Sequence, residues 1–251
     1  LNNNFNLMIE RLKKQQDKLL ATERYEAWES VARKLAHEIK NPLTPIQLSI
    51  DRLREKYSSR ISSDAGDFER YLETINRQIK DIEGLVNEFS NFARMPRPVF
   101  KKINIVEVVN RSIDFIKMSS KNKINFQTKY KEFLINGDTE QLNRVFINLI
   151  KNSEEAFLEL TEKTANFKGI IDIEIISNND YIMIRLIDNF TGITYKKKIM
   201  TPYFTTKTKG TGLGLPIVNK IINEHSGDFS IKNNKDENGI NIEISFPKIN
   251  A

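Results

Sequence analysis

Between residues 31 and 57 apolar side chains recur every seventh position along two rows, at 32, 39, 46 and 53 and at 36, 43, 50 and 57. Such a double row predicts a long helix that buries a narrow seam against other helices. Residues 67–94 repeat the pattern, with Phe68, Ile75, Ile82 and Phe89 in one row and Leu72, Ile79, Val86 and Ala93 in the other. Between them, residues 58–66 are rich in serine and in turn and cap residues, and read as a connection. Two such helices joined by a short loop form an antiparallel hairpin. One hairpin cannot cover both rows, but two hairpins paired into a four-helix bundle can, so a homodimer is expected. Upstream, residues 1–30 are polar and helix-prone, and Phe5, Leu12 and Leu19 are spaced by sevens, as in a short parallel coiled coil.

Met95-Pro96-Arg97-Pro98 forbids continuation of the second helix and marks a domain boundary. Beyond it the sevens give way to mixed elements. Strands are predicted at 99–103, 124–130, 133–136, 170–177, 181–187, 228–232 and 240–246, and helices at 105–118, 140–157 and 212–224. Val106, Val109, Ile113 and Ile116 form the inward face of the first of these helices. The order predicts an α/β sandwich, with one mixed sheet covered on one face by helices. The expected fold class is therefore α plus α/β, a dimerising hairpin followed by a sandwich.

Composition narrows this picture. The 251 residues are 39% hydrophobic, enough for one to two ordinary domains, and contain no cysteine, which excludes disulfides and thiolate metal sites. No run of eighteen apolar residues is present, so no transmembrane helix is expected. The chain starts inside a helical pattern, from which a cytoplasmic portion of a larger protein is expected. The net charge of +6 is dispersed, without a basic stripe interleaved with aromatics, so the expected partners are acidic proteins and a polyphosphate, not nucleic acid.

The candidate chemistry starts at His37, one of two histidines in the chain. It follows the seam residue Ala36, which puts its ring at the rim of the packed core, within reach of solvent. Pro42 removes its own amide and clashes with the carbonyl of Glu38, so the helix is expected to bend or loosen just beneath His37. A lone histidine beside an apolar stripe is, taken alone, more often structural. Three further stretches could form one phosphate site. In the helix around 148–156, Asn148 and Asn152 lie four apart and share a face, and an amide oxygen there can ligate Mg²⁺. Asp188, just after a buried strand, can accept a hydrogen bond from an adenine amino group, and Gly192 allows close backbone approach. Gly210-Thr211-Gly212-Leu213-Gly214 runs into an apolar helix, whose free amides and dipole favour phosphate. The preceding polar segment 203–210, with Thr205, Thr206 and Lys207, can close over bound phosphates. His225 ends that helix as a cap favoured by the dipole.

Ala36-His37-Glu38-Ile39-Lys40-Asn41-Pro42-Leu43-Thr44-Pro45-Ile46-Gln47-Leu48-Ser49 resembles the phosphoacceptor box of sensor histidine kinases, and is most similar to the NtrY-like nitrogen-regulation sensors. Residues 148–156 resemble the asparagine box of the ATPase domain shared by histidine kinases, Hsp90, gyrase and MutL. Asp188 and Gly192 resemble its first glycine motif, Phe204 to Lys207 its phenylalanine box, and Gly210, Gly212 and Gly214 its second glycine motif. Asn4 to Ile9 resembles the end of a HAMP signal-relay module. The resemblance implies three parts: a signal-input helix at 1–30, a dimerisation and phosphotransfer domain at 31–96, and an ATP-binding domain at 97–251. It implies ATP and Mg²⁺ as cofactors, with Asn152 as the metal ligand. His37 is the implied phosphoacceptor and Glu38 its proton acceptor, while Glu38 and Asn41 orient water for the reverse dephosphorylation. The implied partner is a response-regulator receiver domain, and contact with an inner membrane is implied only through transmembrane segments outside this sequence. Phe190 departs from the pattern by replacing its first glycine. If the backbone needs a positive φ there, strain and weaker nucleotide binding are expected. The alternatives are a catalytically weak relay or phosphatase platform, and an ATPase of the same superfamily with another acceptor.

Overall fold

Two helices form the first unit of the chain, α1 (Asn2–Tyr57) and α2 (Ala65–Ala93). The computed structural model describes residues 2–61, 64–93, 95–163, 167–178, 180–193, 198–202, 204–207, 210–234 and 239–249, with few side chains before Lys34. The segments expected as an input helix and a histidine helix are one continuous α1, because no turn residue separates them. Pro42 and Pro45 both lie inside α1. The loosening expected beneath His37 therefore takes the form of lost hydrogen bonds, since the carbonyls of Glu38 and Asn41 have no helical donor. Two hydroxyls reinforce the same stretch, Thr44 Oγ1 donating to the Lys40 carbonyl at 3.5 Å and Ser49 Oγ to that of Pro45 at 2.8 Å.

One heptad row from each helix closes the hairpin. Ala36, Leu43 and Ile50 on α1 and Leu72, Ile79 and Val86 on α2 are all at most 7% exposed. Burial of each Leu or Ile in this seam contributes about 1.5–3 kcal/mol. Gln47 Nε2 donates to Asn76 Oδ1 at 2.9 Å, and Arg54 pairs with Glu69 at 2.6 Å. The other row stays open: Ile39, Ile46, Leu53, Ile75 and Ile82 are between 39% and 46% exposed. Phe5 and Leu12 are also exposed, whereas the side chains of Leu19, Ala32 and Ala93 lie outside the described residues.

The second unit starts at Arg97. Its elements are β1 (Lys101–Asn104), α3 (Ile105–Lys117), β2 (Lys123–Thr128), β3 (Leu134–Gly137), α4 (Thr139–Lys163), β4 (Ile170–Ser177), β5 (Tyr181–Asp188), α5 (Gly214–Glu224), β6 (Asp228–Asn233) and β7 (Ile240–Pro247). The main sheet has the order β2-β4-β5-β7-β6, with β2 and β4 parallel and every other pair antiparallel. β1 and β3 do not join it; they pair with each other in a separate antiparallel ladder, so the single sheet expected from sequence is two. Alternate residues of the central strands, Ile171, Ile173 and Ile175, Ile182, Ile184 and Leu186, and Ile242, Ile244 and Phe246, are buried. The inner faces of the helices are buried as well, through Val109 and Ile113 on α3, Val145, Phe146 and Leu149 on α4, and Val218 and Ile221 on α5. On the other face Arg185 pairs across strands with Glu174 at 2.6 Å and Glu243 at 3.5 Å. This period of two, apolar inward and charged outward, fixes the register, since a one-residue slip would reverse every side chain.

Side chains set the helix starts. Asn104, the last residue of β1, accepts the Val106 amide at 3.1 Å and caps α3. Asp138, between β3 and α4, accepts the Glu140 and Gln141 amides at 3.0 and 3.1 Å. Each cap contributes about 1 kcal/mol.

Candidate functional site

His37 lies on α1 immediately after buried Ala36 and is itself exposed. The seam thus packs without the imidazole, which faces solvent. Glu38 is exposed too, with Lys34 4.0 Å away one turn earlier. Asn41 is exposed one turn later. The three residues form an open polar strip on α1, at the stretch where Pro42 and Pro45 deprive the Glu38 and Asn41 carbonyls of their helical donors.

In the second unit expected residues come together from α4, β5, the start of α5 and the segment that holds Lys207. Asp188, at the end of β5, is 3% exposed. Its Oδ2 accepts Ser153 Oγ of α4 at 2.6 Å, and its Oδ1 accepts the amides of Phe190 and Ile240 at 3.2 and 3.1 Å. Burial pushes its carboxyl above the ordinary carboxylate range, against these three donors. Next to Ser153 on α4, Asn152 meets the start of α5: a Cβ on Gly214 would lie 3.6 Å from Asn152 Nδ2. Lys207 Nζ lies 3.4 Å from Asn152 Oδ1 and 2.7 Å from Glu155 Oε2. One turn before Asn152, Asn148 Nδ2 is buried with no hydrogen-bond partner among the described residues. An orphaned buried amide is costly unless a ligand completes it.

The glycines serve different ends. Gly212 has φ +69°, a conformation that side chains disfavour, and it turns the chain so that Leu213, 1% exposed, anchors the start of α5. Thr211 Oγ1 accepts the Leu213 amide at 3.4 Å. Gly210 packs against Thr205, whose Oγ1 would be 2.6 Å from a Cβ there and accepts the Lys207 amide at 3.1 Å. Thr206 is exposed. Gly192, φ +95°, lies against Asn233 of β6, whose side chain accepts the Ile193 amide at 2.7 Å and donates to its carbonyl at 3.1 Å. It therefore shapes the rim of the site through β6. Tyr203, Thr208 and Lys209 of the expected closing segment lie outside the described residues.

Residues 27–98 match the family described as the His Kinase A (phospho-acceptor) domain, and residues 137–250 match the histidine kinase-, DNA gyrase B-, and HSP90-like ATPase family. The chain thus carries the phospho-acceptor and ATPase domains of the histidine kinase families. A relative from Rickettsia bellii, named as an NtrY-like sensor histidine kinase, is 40% identical over 96% of this chain and 39% of its own length. The chain thus spans about two-fifths of the curated relatives it matches. Among solved structures, the catalytic domain of histidine kinase ThkA is 29% identical with a TM-score of 0.52, covering 60% of this chain and 96% of that one. The structure of ThkA in complex with the response regulator TrrA has a TM-score of 0.62 at 22% identity, covering 95% of this chain and 67% of that one, a likeness of fold.

Two expectations for this chain need correction. Phe190 is not strained: among the described residues Ser226 is the non-glycine residue with positive φ. Asp188 Oδ1 holds the Phe190 amide, so the turn forms without left-handed backbone at that position. His225 does cap α5, but not as a charged group. It is 4% exposed, its Nδ1 faces the Ile221 carbonyl at 2.8 Å, and its Nε2 faces the Asp138 amide at 2.9 Å. A carbonyl can only accept and an amide can only donate, so the ring is neutral with its proton on Nδ1. Burial lowers its pKa, against the Ile221 bond and the Asp138 charge. Asp138 moves down from its ordinary value: burial alone would raise it, but the Val99, Gln141 and Glu140 amides and His225 outweigh that.

Other residues of this site were not legible in the sequence. Ser153 binds Asp188, and Gly239, φ +140°, lies so close to it that a Cβ would come within 1.9 Å of the Asp188 carbonyl oxygen. Glu155 holds Lys207. A serine following the asparagine and a glycine opening the last strand were visible signals, but neither names its partner.

Proposed function

We propose that this chain transfers the γ-phosphoryl group of ATP to His37, and that the phosphoryl group then passes to an aspartate of a response-regulator receiver domain. The observation that carries the reading is the exposed His37 beside buried Ala36, inside the stretch that matches a phosphoacceptor domain. In the step, an imidazole nitrogen forms a bond to the γ-phosphorus, the bond to the bridging oxygen breaks, and ADP leaves. Glu38 takes the ring proton or orients the ring. Such transfer needs positioning and charge neutralisation more than covalent help.

Asp188 reads the adenine amino group, Gly192 lines the approach, and Asn148 offers its unpartnered amide to the nucleotide. The α5 start at Gly210, Thr211, Gly212, Leu213 and Gly214 holds phosphate through its amides. Thr205, Thr206 and Lys207 border the phosphates. The site fits Mg²⁺ because Asn152 Oδ1 already lies beside a positive charge, the Lys207 ammonium. When bound, the metal would neutralise phosphate charge from Asn152. Glu38 and Asn41 would orient a water for dephosphorylation of the regulator.

In this reading residues 1–30 carry the signal, 31–96 dimerise and accept the phosphoryl group, and 97–251 bind ATP. The open row Ile39, Ile46, Leu53, Ile75 and Ile82 supports a homodimeric four-helix bundle, because a second hairpin is what would cover it. The regulator partner is supported by the ThkA–TrrA complex. No helix among the described residues is long and apolar enough to cross a membrane, so attachment to one is proposed only through segments outside this sequence.

The test is labelling with γ-labelled ATP and Mg²⁺, wild type against His37→Gln. Acid-labile, alkali-stable label that disappears in the variant is expected. Label that survives the substitution would move the acceptor elsewhere, and an unlabelled wild type would leave a relay or phosphatase platform.

A further inference from the structure

The ammonium of Lys207 stands where the proposed reaction brings a different cation. Its Nζ donates to Glu155 Oε2 at 2.7 Å and lies 3.3 and 3.4 Å from the backbone carbonyl and Oδ1 of Asn152. Asn152 and Glu155 are three apart on α4 and so face the same side. The chain around the lysine is shaped to present it. Thr205 Oγ1 accepts its amide at 3.1 Å, and its carbonyl accepts the Gly210 amide at 3.4 Å, immediately before the glycines that lead into α5.

We propose that Lys207 and Glu155 form a counter-ion switch: without nucleotide the ammonium fills the cation position on Asn152, and on binding of Mg-nucleotide Lys207 exchanges Glu155 for a phosphate oxygen. The proposal rests on the nucleotide-site reading above. Two forces drive the exchange in the same direction. A divalent ion on Asn152 Oδ1 repels an ammonium at the same atom, and phosphate oxygens gathered at the α5 start attract it. The pair is also weak enough to yield, since its side chains are 24% exposed for Lys207 and 51% for Glu155. A fully buried pair would not exchange at acceptable cost. Glu155 is then a positioning residue that acts through Lys207 and competes with the nucleotide for it.

Isothermal titration of the full chain with β,γ-imido-ATP and Mg²⁺ tests the switch. Glu155→Gln should tighten binding by about two- to fivefold, the scale of a partly exposed ion pair. Lys207→Met should weaken binding, and in that background Glu155→Gln should have no further effect. An unchanged Kd in Glu155→Gln would overturn the switch. So would equal tightening with and without Lys207, which is what a removed negative charge does through space. A wild type that binds no nucleotide would overturn the nucleotide site and the switch together, whereas binding with a flat cycle removes the switch alone.

Discussion

In the hairpin the residue proposed to react projects from the rim of a seam that closes without it, whereas in the ATPase unit Asp188 is 3% exposed and ties α4, β5 and β7 together. His37 is bordered by exposed side chains, and Ala36, Leu43 and Ile50 would pack equally well beside glutamine. Asp188 is held by three donors, and Gly239 is pressed against its carbonyl. Chemistry carried on a rim can change without touching the fold. Chemistry built into a core makes function and stability the same property.

The sharpest way to break this contrast is Ile46→Asp, on the open row of α1. In the proposed dimer it buries a charge from each protomer in an apolar seam, at several kcal/mol per ion. Sedimentation equilibrium should find monomers of unchanged helicity; a dimer of wild-type strength would place the interface elsewhere. Next comes Gly239→Ala, which forces a side chain at φ +140° into the Asp188 carbonyl. A loss of about 3 kcal/mol in urea denaturation is expected. Ser153→Ala leaves a buried carboxylate oxygen without its 2.6 Å donor and should cost about 2 kcal/mol, with the Asp188 pKa rising further.

A smaller effect concerns pH. His225 is held neutral below its ordinary value of 6.5, so the unfolded chain binds the extra proton. Stability is then complete above that value and falls as the pH drops below it, by at most about 1.4 kcal/mol per pH unit, until the folded ring titrates. Asp188, raised in the folded state, has the opposite sign: its contribution falls as pH rises from 3.8 through its folded value. Comparing the pH dependence of urea midpoints for wild type and His225→Gln isolates the histidine, and equal slopes would contradict a neutral buried ring. Smallest of all, His37→Gln should shift stability by less than about 0.5 kcal/mol while abolishing label. A larger shift would mean that the rim residue is part of the core after all.

Periodicity made the elements legible. β4 spans Ile170–Ser177, as its alternation predicts, and β5, β6 and β7 each extend one residue beyond their predicted spans. It did so because a period of 2 or 3.6 reports which side of an element is apolar. It does not report what lies opposite. β1 and β3 both read as strands, yet nothing in their composition says that they pair only with each other. The same limit hid the bonds from Ser153 to Asp188 and from Lys207 to Glu155, which link positions 35 and 52 residues apart. His225 read as a charged cap because its place at the end of α5 is local information. Its neutrality comes from the Asp138 amide, 87 residues away. Phe190 was suspect only by comparison with a glycine pattern, and the backbone found another way around the turn.

A helix that lacks two rungs does not breathe evenly. Pro42 and Pro45 leave the Glu38 and Asn41 carbonyls without amide donors, so opening the turn beneath His37 breaks up to two fewer bonds than opening an interior turn without proline. Each absent bond is worth about 1 kcal/mol. Amide hydrogens between Ile39 and Leu43 should therefore exchange with solvent through local opening, well before those of the facing α2 segment. The rod that bears the imidazole is soft at one turn, and the ring can reorient there while the seam beneath it stays closed.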